Sequence, residues 1–290
     1  MGNEFIVEKG TNESVPREVI DEKKFETPTK HTDEAPVPNI VDLPSNGRMD
    51  YPAVIQYRDM LFKDEKTLAS ASDDTYVRTL NSVLKSILND CEFYEDLSIH
   101  DRDYLLMWVF ANNFSSKKEL EIQCRSCKNI DNVTVDLTEL KVVPLSDEYV
   151  EPFEITTEKG HEITIRGLKV KDELFAEKYI RNQLEDQKNP DDIIDVMVSL
   201  SIDPKKEMRL EDKLQWVEDN LTVRDMKLVR HFHEYFSFGP DDIITHECTK
   251  CAAEVRGRVP FRIEEYLQSS VSDDFGDILQ RNARVQTKSK

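Results

Sequence analysis

The sequence has no uninterrupted apolar run of about 18 residues, so we expect no membrane-spanning helix. Residues 1–30 are charged throughout, and this composition excludes the apolar core of a secretory signal. Basic residues are scarce: 39 Lys and Arg stand against 58 Asp and Glu, which gives a formal net charge of −19. Such a surface repels phosphate backbones and anionic lipid surfaces. We therefore expect a protein of the cytosol that contacts neither nucleic acid nor membrane directly.

The common sequence signatures of enzymes are also missing. The chain contains no Gly-rich phosphate-binding loop, no Gly-x-Ser-x-Gly and no His-Glu-x-x-His. His231 and His233 flank Phe232, but two histidines around an aromatic residue on a helical stripe more often place one ring outward and one against a neighbour. We therefore expect no enzymatic activity and no catalytic residue.

Three segments lack the periodic apolar pattern of folded structure. Residues 1–45 mix charges of both signs with five prolines, which predicts a disordered acidic arm. Residues 138–151 turn acidic and prolyl again, which predicts a linker. Residues 263–290 are predicted to form a polar C-terminal tail. The folded part of the chain is therefore expected in the two segments that remain.

Those two segments, 46–137 and 152–262, share a sequence pattern. Arg-x-Met/Leu-x-x-Lys-Asp-Glu occurs at 58–65 and again at 166–173. In both places a predicted strand passes into a predicted helix. Self-similarity at matching positions is the signature of an internal repeat. We therefore predict two tandem duplicated repeats.

A second match between the segments strengthens this prediction. Ser98 in the first segment and Thr222 in the second are hydroxyl residues that can cap a helix, and each is followed by an acid three residues later. Cys124 follows Ser98 by 26 positions, and Cys248 follows Thr222 by the same 26 positions. Two unrelated segments would seldom share by chance both a capping motif and a cysteine at the same distance after it.

Apolar spacing and turn residues predict the elements of each repeat. The i, i+3, i+4 spacing predicts a one-sided helix around 80–88, and a helix apolar on nearly all sides is predicted at 101–114. Asn46-Gly47 and Lys159-Gly160 predict the turns of β-hairpins that open the repeats. The second repeat is 16 residues longer, and an extra short helix is predicted within 207–220. The fold class is therefore α+β, with helical repeats that carry β-hairpins.

Four of the five cysteines form two Cys-x-x-Cys pairs, Cys124 with Cys127 and Cys248 with Cys251. Each pair falls at the tip of a predicted hairpin. In a reducing compartment, metal binding by such pairs is favoured over a disulfide framework. One pair fills only two of the four tetrahedral positions that structural zinc requires. We therefore predict one structural Zn²⁺ per chain, bound by all four cysteines in a zinc-ribbon-like site that joins the repeats.

Two features depart from a common zinc ribbon. Cys127 and Cys248 are separated by 120 residues, whereas ribbon sites usually have about 15–20 between the pairs. A pseudo-twofold relation between the repeats would bring the equivalent hairpins together. Lys128 and Ala252 stand where a knuckle commonly has glycine for a left-handed turn.

Pairs that bind no metal, or that form a disulfide under oxidation, remain alternatives, whereas a redox role would need a helix N-terminus. Cys91 is predicted to pack as a small buried hydrophobe.

Four motifs together point to a known family: Leu43-Pro44-Ser45-Asn46-Gly47, the repeated Arg-x-Met/Leu-x-x-Lys-Asp-Glu, Asp101-Arg102-Asp103-Tyr104-Leu105-Leu106, and the hairpin at 120–137. Over residues 43–261 the chain resembles the baseplate hub structural and assembly proteins of T-even-like contractile-tailed bacteriophages. The resemblance implies a non-enzymatic structural or chaperone-like assembly protein of the tail baseplate hub. It also implies that the partners are other hub and tail proteins. The expected location is the host cytoplasm during assembly, with the virion baseplate as a further location.

Two other functional classes stay open at this stage. Cys-x-x-Cys pairs are common in zinc-ribbon adaptors of transcription and RNA processing, although the acidic surface and the lack of a basic stripe argue against contact with nucleic acid. A general chaperone cofactor that uses the arm and tail to hold clients is the third candidate. The sequence does not specify the oligomeric state, the copy number or the hub protein that is bound.

Overall fold

The computed structural model describes residues 39–72, 75–89, 91–186 and 190–259. Within these residues the fold is α+β, with seven α-helices and five sheets of two or three strands. The first half (39–137) contains β1 (Asn39–Asp42), β2 (Val54–Tyr57), α1 (Phe62–Ala69), α2 (Tyr76–Ile87), α3 (Ile99–Asn113), β3 (Lys117–Gln123) and β4 (Ile130–Asp136). None of the described helices combines the length and the apolar character needed to cross a membrane.

The remaining elements belong to a connecting segment and to the second half (152–259). The connecting segment contains β5 (Val142–Val143). The second half contains β6 (Phe153–Thr156), β7 (Glu162–Ile165), α4 (Val170–Glu185), α5 (Ile193–Leu200), β8 (Ile202–Asp203), α6 (Leu210–Asn220), α7 (Val223–Tyr235), β9 (Gly239–Pro240), β10 (Ile243–Glu247) and β11 (Glu254–Arg258). Helix α6 occupies the place of the extra helix predicted within 207–220.

The apolar patterns form the helices and the core that they predict. The five apolar residues spaced along α2 and its end are all buried: Leu80, Val83, Leu84, Ile87 and Leu88. Helix α3 is buried on several sides and lies in the core of the first half. Helix α7 instead buries one stripe, with Val229 and Phe232 inside, and leaves its other face in solvent.

A β-hairpin opens each half. Strands β1 and β2 pair antiparallel, and the turn that follows β1 places Asn46 and Gly47 at positive φ, 51° and 71°. Strands β6 and β7 pair antiparallel around a turn in which Gly160 has a φ of 82°. Positive φ is the conformation for which Asn and Gly are favoured. The two predicted turns are therefore present.

The passage from hairpin to helix is built in the same way in both halves. The guanidinium of Arg58 donates to both carboxylate oxygens of Asp64 at 2.6 and 3.1 Å, and Arg166 donates to those of Asp172 at 2.6 and 2.7 Å. Each carboxylate also accepts the backbone N–H that precedes its helix. A bidentate pair of this kind fixes both the strand end and the helix start.

Helices α3 and α7 begin with the same kind of N-terminal cap. The Ser98 hydroxyl accepts the N–H of Asp101 at 3.0 Å, and the Thr222 hydroxyl accepts that of Asp225 at 3.2 Å. Each acid then accepts a backbone N–H from the opening hairpin region of its own half, Asp101 at 3.1 Å and Asp225 at 3.0 Å. These contacts agree with a common plan for the halves, while their origin by duplication stays a prediction.

The second half attaches to the first through the start of α4. The N–H of Ile99 donates to the carbonyl of Leu168 at 3.0 Å, and the N–H of Val170 donates to the carbonyl of Leu97 at 2.9 Å. This antiparallel bridge places the start of α4 against the start of α3. Val170 is fully buried in the core of the first half.

A buried ion pair stabilises the same contact. Arg102 on α3 donates to both carboxylate oxygens of Glu173 on α4, at 2.6 and 2.9 Å, and Asn81 on α2 donates to Glu173 at 3.0 Å. Burial alone would raise the pKa of Glu173, but these donors outweigh burial and hold it below its usual value. The pair therefore links α3 of one half to α4 of the other.

The structure adds detail at two of the predicted boundaries. Strand β1 lies inside the segment predicted as a disordered arm (1–45), and it is ordered there because Val41 is buried in the core of the first half. The predicted linker (138–151) is packed: β5 pairs with β9, and Arg48 donates to the carbonyls of Asp147 and Tyr149 at 2.9 and 3.2 Å. The rest of the predicted arm and the predicted tail (263–290) lie outside the described residues.

We expect Glu173→Ala to lower the free energy of unfolding by about 3 kcal/mol, because the buried Arg102 loses its two-oxygen partner and keeps Asp103, at 2.7 Å, as its remaining acid. Lys171→Ala is the control: it breaks an exposed pair with Asp96 at 2.7 Å in the same contact and should cost less than about 1 kcal/mol. Urea denaturation measures both. Equal losses for the two variants would contradict the role given to the buried pair.

The lowered pKa of Glu173 also sets a pH dependence. A carboxylate with a depressed folded pKa adds stability above its unfolded pKa, and that stability is lost as the pH falls through the folded value. Stability should therefore fall less steeply in Glu173→Ala than in the wild type below the unfolded Glu pKa of about 4.3. Parallel pH profiles for the two proteins would contradict this.

Candidate metal centre

Two hairpins of similar construction carry the paired cysteines. Strands β3 and β4 pair antiparallel around Cys124 and Cys127, and strands β10 and β11 pair around Cys248 and Cys251. In each turn the first cysteine donates its N–H to the residue two positions after the second, at 2.8 and 2.9 Å. Its carbonyl accepts the N–H four residues on, at 2.9 Å in both hairpins. Each turn therefore folds the two sulfurs of its pair toward one side.

The residue after each second cysteine has the left-handed backbone conformation of a metal knuckle. Lys128 has a φ of 63° and Ala252 a φ of 56°. Residues with a Cβ pay about 1–3 kcal/mol for this conformation. The chain therefore keeps the knuckle geometry without the glycine that usually supplies it.

The hairpins pack against each other through a small apolar cluster. Ile122 of β3 and Val255 of β11 are buried beside Cys124 and Cys248. Gly257 lies against Ile122, where a Cβ would stand 2.8 Å from the Ile122 Cδ1. The Ile122 side chain would have to shift to admit a larger residue here, so glycine allows this close approach of the two hairpins.

The four sulfurs converge at this contact. Their Sγ atoms all lie within 4.8 Å of one another. Between the hairpins, Cys124 Sγ lies 3.7 Å from Cys251 Sγ, and Cys127 Sγ lies 3.6 Å from Cys248 Sγ. Sulfurs around a tetrahedral ion at the usual Zn–S distance of ~2.3 Å would be about 3.8 Å apart. The donor set and its spacing therefore fit a metal ion at the centre of the four cysteines.

The electrostatics of the cluster also favour a cation. The backbone N–H of Cys127 donates to the sulfur of Cys124 and lowers the pKa of Cys124 to about 7. The Ala253 N–H favours the thiolate of Cys251, but the neighbouring sulfurs outweigh it and raise the pKa of Cys251 to about 12. Four thiols this close cannot all lose their protons unless a positive ion balances their charge.

Asp131, which the sequence interpretation missed, joins the two hairpins beside the sulfurs. Its carboxylate accepts the N–H of Thr249 at 3.1 Å, the hydroxyl of the same residue, and Asn129 Nδ2 at 2.7 Å. His246 Nε2 lies 3.2 Å from it. The Thr249 hydroxyl is the main reason that the pKa of Asp131 is lowered. This contact, termed here the Asp131 clamp, holds the second knuckle against the first hairpin.

The sequence contains a feature that indicates a hydrogen-bonded role for Asp131. Asp131, Val133 and Val135 share the inward face of β4, so a carboxylate stands in a row that is otherwise apolar. A carboxylate on the buried face of a strand needs hydrogen-bond partners. Its partner, Thr249, is the second residue of the other Cys-x-x-Cys pair.

The other candidate residues of the sequence are not gathered at the centre. His231 is exposed, while the Nε2 of His233 lies 3.0 Å from the hydroxyl of the buried Ser201. Burial lowers the pKa of His233 to about 4, so it is a neutral packing residue at physiological pH. Cys91 packs half-buried against the core of the first half, and burial raises its pKa.

Comparisons with known proteins agree with the sequence resemblance. A family model described as T4 bacteriophage base plate protein matches residues 36–267. This match spans both halves and both hairpins. A search of the curated proteins and a search of the solved structures returned no significant match.

We expect Lys128→Gly and Ala252→Gly each to raise the free energy of unfolding by about 1 kcal/mol, because glycine adopts positive φ without the Cβ penalty. Lys250→Gly is the matched control, since Lys250 lies in the second knuckle but has no positive φ. It should be neutral or destabilising. Chemical denaturation of the metal-loaded protein measures all three, and stabilisation by Lys250→Gly alone would contradict the assignment.

Proposed function

The chain belongs to the T4 bacteriophage base plate protein family, and we propose that it is a non-enzymatic structural and assembly protein of the baseplate hub. Its partners are other hub and tail proteins. The motifs of the resemblance, from Leu43-Pro44-Ser45-Asn46-Gly47 to the first cysteine hairpin, support the hub assignment. It acts in the host cytoplasm during assembly and enters the tail baseplate. The family match does not favour a zinc-ribbon adaptor of transcription or RNA processing.

The observation that carries this proposal is the convergence of four cysteines from the two halves. A catalytic zinc site keeps a position open for water or substrate, whereas a site with four protein ligands is closed and structural. Cys124, Cys127, Cys248 and Cys251 supply four ligands within 4.8 Å of one another. The centre therefore organises the fold and leaves no site for chemistry.

Zinc is the ion that we assign to this centre, one per chain. Four thiolates in tetrahedral arrangement select zinc or an iron–sulfur cluster among biological metals. Sulfurs 3.6 and 3.7 Å apart across the hairpins suit a single ion. A bound zinc ion would withdraw the protons from the four thiols and hold both hairpins, so its binding free energy would contribute to folding.

Internal duplication explains why two distant hairpins form one site. The Arg58–Asp64 and Arg166–Asp172 pairs support it, as do the matching caps at Ser98 and Thr222. In this proposal the chain is two copies of one unit, each with half a metal centre. Such halves gain stability only together, which suits a component that must hold a fixed shape while tail proteins assemble on it.

We expect one zinc ion per chain in protein purified under reducing conditions, and less than half of that in Cys124→Ser because one of four thiolate ligands is lost. Cys91→Ser is the control and should keep its zinc. Metal analysis by mass spectrometry gives the stoichiometry. Two zinc ions per chain would contradict a shared centre, as would protein that contains iron or no metal.

We expect the tagged full-length chain to retrieve tail and hub proteins from phage-infected cells. The Cys91→Ser variant should retrieve the same set, because Cys91 lies outside the metal centre. Mass spectrometry of the captured proteins, and of purified virions, makes the measurement. Recovery of RNA polymerase or ribosomes in place of tail components would contradict the baseplate assignment.

A further inference from the structure

The contact between the two halves is not reciprocal: a surface of the second half docks on the first half, but the corresponding surface of the first half does not dock on the second. The start of α4 in the second half docks on residues 97–99 of the first half through the antiparallel bridge, and Val170 is fully buried there. Under the proposed duplication, the start of α1 corresponds to the start of α4, and residues 221–223 correspond to residues 97–99. These two surfaces do not meet within the chain, because Phe62 and Val223 are each 73% exposed.

The two counterpart surfaces are therefore both exposed to solvent. On α1, Leu61 is 49% exposed next to Phe62, at the positions that correspond to Lys169 and the buried Val170. The N–H groups of Phe62 and Val223 lie in the first turns of α1 and α7. First-turn N–H groups have no partner within their own helix. Each surface thus presents apolar side chains together with free backbone donors.

A groove lies beside residues 221–223, between α5, α6 and α7. Its volume is about 380 Å³. Buried apolar residues line its floor, among them Val196 and Leu214. Its rim carries the exposed acids Asp192, Asp195 and Glu218, of which Asp195 is paired with Arg230 of the same groove at 2.7 Å. An apolar floor with an acidic rim suits an apolar side chain that is accompanied by positive charge.

We propose that this groove binds the start of α1 from a second copy of the chain, so that copies join head to tail. The inter-copy contact would repeat the bridge that joins the two halves within one chain. In it, Leu61 of one copy takes the place of Lys169, and Thr222 of the next copy takes the place of Ser98. The inference goes beyond the proposed function and rests on the duplication within it.

Size and charge fit this occupant. Phe62 is larger than its counterpart Val170, and the groove gives it a wider site than a valine needs. Lys63 and Lys66 are exposed on the same turn of α1, and Lys66 Nζ lies 5.6 Å from the Phe62 ring. Within the chain, the counterpart of Lys63 is Lys171, which donates to Asp96 at 2.7 Å. The counterpart of Asp96 in the second half is Asn220, so the lysines beside Phe62 would meet the rim acids Asp192 and Glu218 instead.

Head-to-tail association has a property that a twofold dimer lacks. Each copy uses two different surfaces, so every contact leaves one free surface of each kind until a ring closes. A variant that has lost only the α1 surface still has a functional groove. A variant that has lost only the groove still has a functional α1 surface. Mixing the two must then restore one contact per pair of chains.

The test uses Phe62→Asp, Val223→Asp and an equimolar mixture of the two, followed by analytical ultracentrifugation of the full-length zinc-loaded chain. An acid at the first position of a helix is favoured by the helix dipole, so both variants should fold. Val150→Asp is the matched control, because Val150 is similarly exposed, at 61%, and lies outside the groove.

The wild type and Val150→Asp should sediment above the 33.8 kDa of one chain, with a mass that rises with concentration. Each of the other two variants alone should be a monomer, and their mixture should give a complex of two chains. A monomeric wild type over its whole soluble range, or a mixture that stays monomeric, overturns the proposal. If the wild type is monomeric but still binds one zinc ion and retrieves tail proteins, head-to-tail association fails while the proposed function stands.

Discussion

The joining of the two halves through their hairpins depends on the meeting of four cysteine sulfurs, although the two pairs lie 121 positions apart in the chain. Closing so large a loop costs conformational entropy, and the apolar cluster around Ile122 and Val255 is small. Two further interactions therefore have to support the contact. The Asp131 clamp holds the second knuckle in place through Thr249, and the four sulfurs lie within 4.8 Å of one another, a spacing that fits one metal ion.

The hairpins and the helices relate the two halves in different ways. The hairpins face each other, with each contributing two sulfurs, as a pseudo-twofold relation would require. The helical parts do not follow that relation, because α4 docks on the start of α3 while α1 leaves Phe62 exposed. The buried Arg102–Glu173 pair belongs to this one-way contact. The cysteine cluster thus joins the halves at one place, whereas Phe62 of α1 and Val223 of α7 stay exposed.

Local patterns in the sequence predicted the elements and the clustering of the four cysteines, because both follow from spacing along the chain. The apolar spacing of Leu80 to Leu88, the turn at Lys159-Gly160 and the equal interval before each cysteine pair identified helices, hairpin and centre. Contacts between distant residues carry no such spacing. For that reason the sequence did not predict the Asp131 clamp, the Arg102–Glu173 pair or the contacts that Arg48 makes with the carbonyls of the linker at 138–151.

The central claim is that one metal ion holds both halves, and native-state hydrogen exchange before and after chelation tests it most directly. If the centre is shared, metal removal should raise exchange in both cysteine hairpins together, because each supplies half of the ligands. The exchange of β3 and β10 should rise to a similar extent, while α3 keeps its protection through the core of the first half. Loss of protection in only one hairpin, with the other unchanged, would contradict a shared centre.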